Sequence, residues 1–458
     1  MENSHSHGTI SLPPTPDREG VASYLNKICK DRPIAPLITA LGVDANTHLV
    51  GGALRDLFIG ETPQDFDLAV SLAPELIISR LNSSGIKTID VSAKHGTVIA
   101  VIDEQNIEIT SFQAHVQNTA EALRIEDDLG ARDFTINAIA YNPHTYLIID
   151  SNGGLEDIKE RKLKCVGDPV ARFQEDPLRI LRMIRFGPAS NFIVDQETWK
   201  AAKSLIKLLS NISVERIRSE LDRILLSVNV TEALRALLDI GAFEIILPEI
   251  LPSVGIEQNE FHYEDVFSHT VTVTGRTPKE RLLRWIAIFH DLGKPATLSV
   301  DEDGRRHFYG HEKISEQLAK TATERLKFSH SDRDTICNVV REHMRPIDCG
   351  LPGVRRIMRD LGENYPLWRT FKVADAPPVM EEQEWLDMLT RFDGMIESER
   401  QRLAGAPYGK LALNGEDLKL LGFKPGPEMG KMLKFLEEMV IEDPEKNNKE
   451  ILTKIIEE

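Results

Sequence analysis

Apolar residues recur at three- and four-residue spacing along most of this chain, the mark of helices that bury one face. Between residues 47 and 112 the pattern shortens to strands. Residues 19–42 carry Val21, Leu25, Ile28, Leu37 and Leu41 at helical spacing, interrupted by Pro33 and Pro36. A strand over 47–50, a helix over 53–58, a strand holding Asp65 to Val70 and a helix over 73–83 follow. Strands over 96–102 and 107–112 flank the turn residues 103–106. From 190 to 255 the stripe through Leu209, Ile217, Leu221, Ile224, Leu234 and Leu237 reads as plain core, closed by Pro248 and Pro252. Residues 381–458 read as helical and acidic, with Asn414 placed to cap a helix. A small mixed sheet backed by helices, then a long helical remainder, is the expected architecture.

At 458 residues the chain is too long for one ordinary core, so two to four domains are expected. Its 41% hydrophobic and 28% charged content fits a globular protein, and no apolar run approaches a membrane span. Residues 1–18 are polar and proline-bearing without the apolar stretch of a signal peptide, which suggests a disordered tail and a cytoplasmic address. Cys29, Cys165, Cys337 and Cys349 show no paired spacing, so neither a disulfide framework nor a structural zinc site is indicated. A net charge of -17 is awkward for a nucleic-acid enzyme. Distribution changes that picture: Lys159 to Phe186 holds eight basic and four acidic residues, a local balance of +4. Lys159, Arg161, Lys162, Lys164 and Arg185 make this stretch the candidate RNA surface.

The first candidate chemistry is the pair Asp65 and Asp67. Alternation on a strand would project both from one face, with Phe66 and Leu68 turned into the core. Two carboxylates at one point call for a divalent cation, and hard oxygen ligands suit magnesium carrying a triphosphate. Gly51 and Gly52, where a strand hands over to a helix, would let backbone N–H groups approach phosphate oxygens. The string G-G-x-x-R-D followed by D-x-D resembles the head motif of class II tRNA nucleotidyltransferases and bacterial poly(A) polymerases, which belong to the polymerase-β-like superfamily. The resemblance adds Arg55 and Asp56 to the nucleotide site, and Glu108 stands where such folds often place a third acid.

Residues 131–138, A-R-D-F-T-I-N-A, resemble the family's second motif at seven of eight positions, with Ala131 replacing its first arginine. This implies that Arg132 contacts nucleotide phosphates or base, that Asp133 reads the ribose hydroxyls, and that Asn137 lies in the site. Residues 150–158 resemble the family's connecting turn. In E-D-P-L-R-I-L-R-M-I-R-F, Asp176 and Arg179 would share a helix face. The family's E-D-x-x-R template implies that this pair hydrogen-bonds the incoming base, with Arg182 nearby.

A second constellation comprises His269, the pair His290-Asp291, His311, His343 and Asp375. A histidine–aspartate pair ending an apolar helix is costly without a metal. The H…HD…D pattern resembles HD phosphohydrolases, which implies His269, His290, Asp291 and Asp375 as ligands of an unidentified divalent metal. His311 and His343 are candidates to extend the site to a second ion or to phosphate.

The expected fold is an α+β N-terminal head of the polymerase-β-like kind, followed by all-α neck, HD and tail domains. The boundaries are 1–33 for a weakly ordered tail, 34–150 for the head, 151–255 for the neck, 256–385 for the HD domain and 386–458 for the helical tail. The implied activity is template-independent addition of C and/or A to the 3′ end of tRNA, from CTP and/or ATP, without a membrane partner. The residues leave open CCA, CC-only, A-only or poly(A) addition, and the short stretch between Phe112 and Ala131 keeps those options alive. An HD-dominated phosphohydrolase acting on RNA ends or nucleotides is the competing class, and a non-catalytic RNA binder is a third. Oligomeric state is not legible.

Overall fold

The site-bearing sheet is built from seven short strands: β1 His48–Val50, β2 Asp67–Val70, β3 Lys87–Ser92, β4 Thr97–Ile102, β5 Gln105–Ser111, β6 Ala140–Asn142 and β7 Leu147–Ile149. Their order is β3-β4-β5-β2-β1-β6-β7, with β2 and β5 parallel and the other neighbours antiparallel. This computed structural model describes residues 17–457 other than 32, 64, 93–95, 113–123, 259–263, 378–379 and 404–410. Most of the stretch between Phe112 and Ala131, and the tail before residue 17, lie outside the described residues.

Central β1 and most of β2 are buried, in keeping with strands covered on both faces. Val50, Ala69, Phe112, Ile125, Leu129, Ala138, Ala140 and Val166 pack into one cluster that ties the sheet to the segments after it. Strands β6 and β7 have three residues each, too few to show a two-residue period, which is why the sequence pattern does not reveal them. Strand β3 lies at the sheet edge, and its Ile89 remains exposed, so its pattern has little contrast.

Residues 18–30 depart from the weakly ordered tail expected over 1–33. They form a helix, Arg18–Lys30, whose Val21, Tyr24, Leu25 and Cys29 are buried at helical spacing. Asp17 caps it by accepting from the Gly20 N–H at 2.7 Å.

The chain divides into two compact units, Met1–Ile212 with Asp239–Gly241 and Ser213–Leu238 with Ala242–Glu458. The span 151–255 is therefore shared between them. Within the first unit β8 Lys162–Leu163 and β9 Ile193–Val194 pair in parallel. Within the second, β10 Ser299–Val300 pairs with β11 Arg306–His307. The remainder of the second unit is helical. Its inner helix Arg281–Phe289 is buried on nearly all sides, with Trp285 stacked on Phe289 at 5.4 Å. Arg355 and Glu399, both buried, form an ion pair at 2.7 Å between the helices Leu351–Leu361 and Glu382–Arg402. Asn414 caps Gly415–Leu420 by accepting from Glu416 and Asp417 N–H groups.

No helix among the described residues is long and apolar enough to cross a membrane. The four cysteines are free thiols.

Candidate functional site

Strand register assembles the head site. Val50 faces Asp67 on β2 and Ala140 on β6, while Leu68 pairs with Ile109 on β5. Asp67, Glu108, Gly51 and the residues before Ala140 are thus gathered at one end of the central strands. The two aspartates are not displayed by strand alternation as expected, because β2 begins only at Asp67. The ladder to β1 stops at Val50, where the chain turns, and Asp65 and Phe66 lie ahead of it. Asp65 is exposed, and Asp67 and Phe66 are half-buried.

The charges nevertheless act on each other. The Asp67 carboxyl is pushed up to about 6, first by burial and next by Glu108, with Asp65 adding repulsion and Arg132 opposing it. Gly51 opens the helix Gly52–Ile59 with φ 78°, in the left-handed region that favours glycine. A Cβ there would lie 3.0 Å from Arg132 Nη1 and 3.9 Å from Asp67 Oδ2. The guanidinium and the carboxylate therefore both border the glycine turn.

Residues of the other motifs join by hydrogen bonds. Arg132 donates from Nε and Nη2 to Asp128 Oδ2 at 3.2 and 3.1 Å. Arg55 donates from Nη1 to Asn137 Oδ1 at 2.8 Å and from Nη2 to Asp56 Oδ1 at 2.7 Å. Asn137 Nδ2 donates to Asp133 Oδ1 at 3.2 Å, and Arg182 Nε donates to Asp133 Oδ2 at 2.7 Å. Burial works against the Asp133 charge, but Arg182 and these hydrogen bonds outweigh it and hold the carboxyl below its usual range. The connector 150–158 braces this segment: Thr135 donates its hydroxyl to Asp157 at 2.6 Å, and Asp150 accepts from Gly154 and Leu155 N–H groups.

Asp176 and Arg179 do not share a helix face. The helix Pro169–Glu175 ends at Asp176, and the next runs Arg179–Phe186, with Pro177 and Leu178 in the break. Proline disfavours helical backbone in the residue before it, which places Asp176 in extended conformation. Arg179 instead donates to Glu175 at 2.9 Å and to the Ala131 carbonyl at 3.1 Å. Arg172 donates to the neighbouring Gly130 carbonyl at 2.9 Å. Two arginines from beyond the second motif thus reach the backbone beside Ala131, which is buried.

Of the basic surface residues, Lys159, Arg161 and Lys164 are exposed. Lys159 lies 3.5 Å from Glu156 and Lys162 lies 3.6 Å from Asp195. Arg185 differs from them in lying over the Phe186 ring, 3.9 Å from its centroid.

In the second unit six predicted residues converge from helix ends: His269 from Val266–Arg276, His290 and Asp291 after Arg281–Phe289, His311 opening His311–Arg325, His343 after His330–Glu342, and Asp375 after Tyr365–Ala374. They form two triads, His269–His290–Asp375 and Asp291–His311–His343, each compact enough for one ion. Asp291 spans both. Its Oδ2 lies 3.1 Å from His290 Nε2 and 3.5 Å from His269 Nε2, and its Oδ1 lies 3.2 Å from His311 Nε2. His290, His311 and His343 each direct Nδ1 to a backbone carbonyl three residues back at 2.7 Å, which leaves Nε2 as the inward lone pair. Two such nitrogens, on His311 and His343, face each other at 3.2 Å, and His290 Nε2 is buried without a hydrogen bond. This donor set fits divalent metal. Burial opposes charge on His290, yet Asp291 raises its pKa; His343 is lowered by burial.

Sequence reasoning overlooked Lys294, whose Nζ lies 2.7 Å from Asp291 Oδ2 and donates to Gln258 at 2.7 Å. Its position in H-D-L-G-K, three residues after Asp291, was the available signal.

A glycine-turn head with clustered acids and arginines, followed by a histidine–carboxylate centre, defines a nucleotidyltransferase joined to an HD-type domain. Family comparison agrees: the "Poly A polymerase head domain" matches residues 47–164, the RNA- and SrmB-binding region of polymerase A matches 191–253, the HD domain matches 262–376, and tRNA nucleotidyltransferase domain 2 matches 393–456. The chain is 31% identical to the A-adding tRNA nucleotidyltransferase of Deinococcus radiodurans, over 85% of this chain and 90% of that one. It is 28% identical to the CCA-adding enzyme of Streptococcus sanguinis over 93% and 96%, and to the CC-adding tRNA nucleotidyltransferase of Thermus thermophilus over 84% and 88%. The fold matches the CTP-bound CCA-adding enzyme of Bacillus stearothermophilus with TM-score 0.66 at 28% identity, covering 92% of this chain and 95% of that one. The chain belongs to the tRNA nucleotidyltransferase and poly(A) polymerase family.

Proposed function

We propose that the protein adds C and/or A nucleotides, without a nucleic-acid template, to the 3′ end of tRNA, drawing on CTP and/or ATP. The observation that carries this reading is the half-buried Asp67 set among Asp65, Glu108 and Arg132 beside the Gly51 turn. Asp65 and Asp67, with Glu108 as third acid, would hold magnesium, which supplies charge neutralisation at the triphosphate and at the attacking oxygen. The terminal 3′-OH displaces pyrophosphate from the α-phosphate of the nucleotide. Backbone N–H groups at Gly51 and Gly52, together with Arg55 and Arg132, bear on phosphate charge. Asp133 and Asn137 orient the ribose side. Asp176, Arg179 and Arg182 face the choice of base, and Lys159, Arg161, Lys162, Lys164 and Arg185 bear on the RNA backbone. The cytoplasm is the proposed compartment.

For the HD centre we propose a divalent-metal phosphohydrolase acting on RNA ends or nucleotides. The favouring observation is Asp291 with one oxygen toward each triad, an arrangement suited to two ions. Lys294 would offset the carboxylate charge.

One experiment separates the sites. Transfer RNA ending before CCA, after C or after CC is incubated with each labelled nucleoside triphosphate alone and mixed. The parent is compared with Asp65→Ala and with the double variant His290→Ala/Asp291→Ala. Extension disappears in the first and survives in the second, while phosphatase activity does the reverse. Extension that persists in Asp65→Ala would sink the proposal, and the nucleotides accepted decide among CCA, CC, A and poly(A) addition.

A further inference from the structure

Phe186 ends the helix Arg179–Phe186 and has so far carried no role. Its buried ring gathers three guanidinium groups: Arg185, Arg55 and Arg182 lie with Cζ at 3.9, 4.7 and 5.4 Å from the ring centroid. It also meets Phe134 of the second motif edge-on at 6.1 Å and 70°. Three like charges around one point repel, so the arrangement needs a compensating attraction. Part of it comes from carboxylates and part from the electron-rich ring face.

The hydrogen bonds make a chain with two ends. Arg55 binds Asn137, Asn137 binds Asp133, and Asp133 binds Arg182. Both terminal guanidinium groups then return to the same ring. Arg55 donates from Nη1 to Asn137 and from Nε and Nη2 to Asp56, and Arg182 presents Nε and Nη2 to Asp133. The ring face adds a constraint shared by both groups, because a planar guanidinium has preferred placement over it. Arg55 belongs to the first motif and Arg182 to the helix after the proline break, 127 residues later by their numbers.

We propose that Phe186 is a positioning residue for nucleotide binding, its π face holding Arg55 and Arg182 at a set separation so that both act on one nucleotide. This inference rests on the nucleotidyltransferase reading. A space-filling role for the same side chain would depend on its volume, whereas a positioning role depends on its electrons.

The test replaces Phe186 in the full chain by mono-, di- and trifluorophenylalanine, which withdraw density from the ring face while nearly conserving shape. Nucleotide KM and kcat are measured at saturating tRNA, together with tRNA KM, and CTP and ATP affinities are read by calorimetry without any chemical step. Nucleotide KM and Kd rise stepwise to about tenfold in the trifluoro protein, the scale of a partly desolvated cation–π contact. Transfer RNA KM follows Arg185, which the same ring holds at 3.9 Å, and Phe186→Tyr, which keeps the π face, brings nucleotide KM and Kd back toward the parent's. A flat series in both KM and Kd overturns the inference. Absence of extension in the parent strikes instead at the nucleotidyltransferase reading, and the calorimetric series still decides the role of Phe186.

Discussion

Replacing Asp67 by asparagine removes a charge that burial and Glu108 make costly to hold. The carboxyl moves from 3.8 to about 6, chiefly through burial. At about 1.36 kcal/mol per pH unit, that displacement amounts to roughly 3 kcal/mol against the ionised form, and half-exposure and relaxation bring the expected effect to ~1–2 kcal/mol. The sign follows from which state binds the proton more tightly. An acid whose pKa is higher in the fold than in the unfolded chain favours folding when protonated. The penalty is therefore absent below the unfolded value of 3.8, grows between 3.8 and about 6, and is complete above that. With a chelator at about pH 8, Asp67→Asn should resist denaturant better than the parent by ~1–2 kcal/mol, and the two should converge near pH 4. Added magnesium should raise the parent's midpoint and leave the variant's nearly unmoved, because a ligand stabilises only the state that binds it. Extension should be lost in the variant despite its greater stability. Equal midpoints at pH 8, or a gap of the same size at pH 4, would refute the reasoning.

Three further outcomes are expected. A Cβ on Gly293 would lie 2.3 Å from the His311 carbonyl oxygen, so Gly293→Ala should push the His311 helix away and lower the divalent metal bound per chain below the parent's, read by elemental analysis, with tRNA extension intact. Ala131→Arg restores the family residue at a buried position whose carbonyl already accepts from Arg179; it should destabilise the fold by ~1–3 kcal/mol and fail to lower nucleotide KM. Glu399→Ala leaves Arg355 buried with, among the described residues, the Ile441 and Glu442 carbonyls as acceptors, and unfolding in urea should show a loss of about 3 kcal/mol, unless Arg355 is simultaneously made methionine.

Both the fold class and the candidate chemistry were legible along the chain, because the informative strings are short and local. G-G-x-x-R-D, D-x-D and A-R-D-F-T-I-N-A each occupy a few residues, and His290-Asp291 announces itself at the end of an apolar helix. The errors arose where neighbours override local pattern. Strand alternation could not reveal that the β1 ladder ends at Val50 and leaves Asp65 outside β2. Helical spacing could not reveal that Pro177 separates Asp176 from Arg179. Lys294, three residues after Asp291, joins that carboxylate only through the local fold, with Nζ at 2.7 Å from Oδ2.

Residue identity by itself determined which groups were available to the two candidate sites: acids and arginines for one, imidazoles and carboxylates for the other. Partner choice belonged to the tertiary structure. Arg55 meets Asn137 across 82 positions and Asp133 meets Arg182 across 49, pairings set by the sheet register and the packing around Phe186. The physical reason is range: backbone preference and burial pattern act over a few residues, whereas a hydrogen bond selects whatever complementary group the packed core carries within about 3 Å.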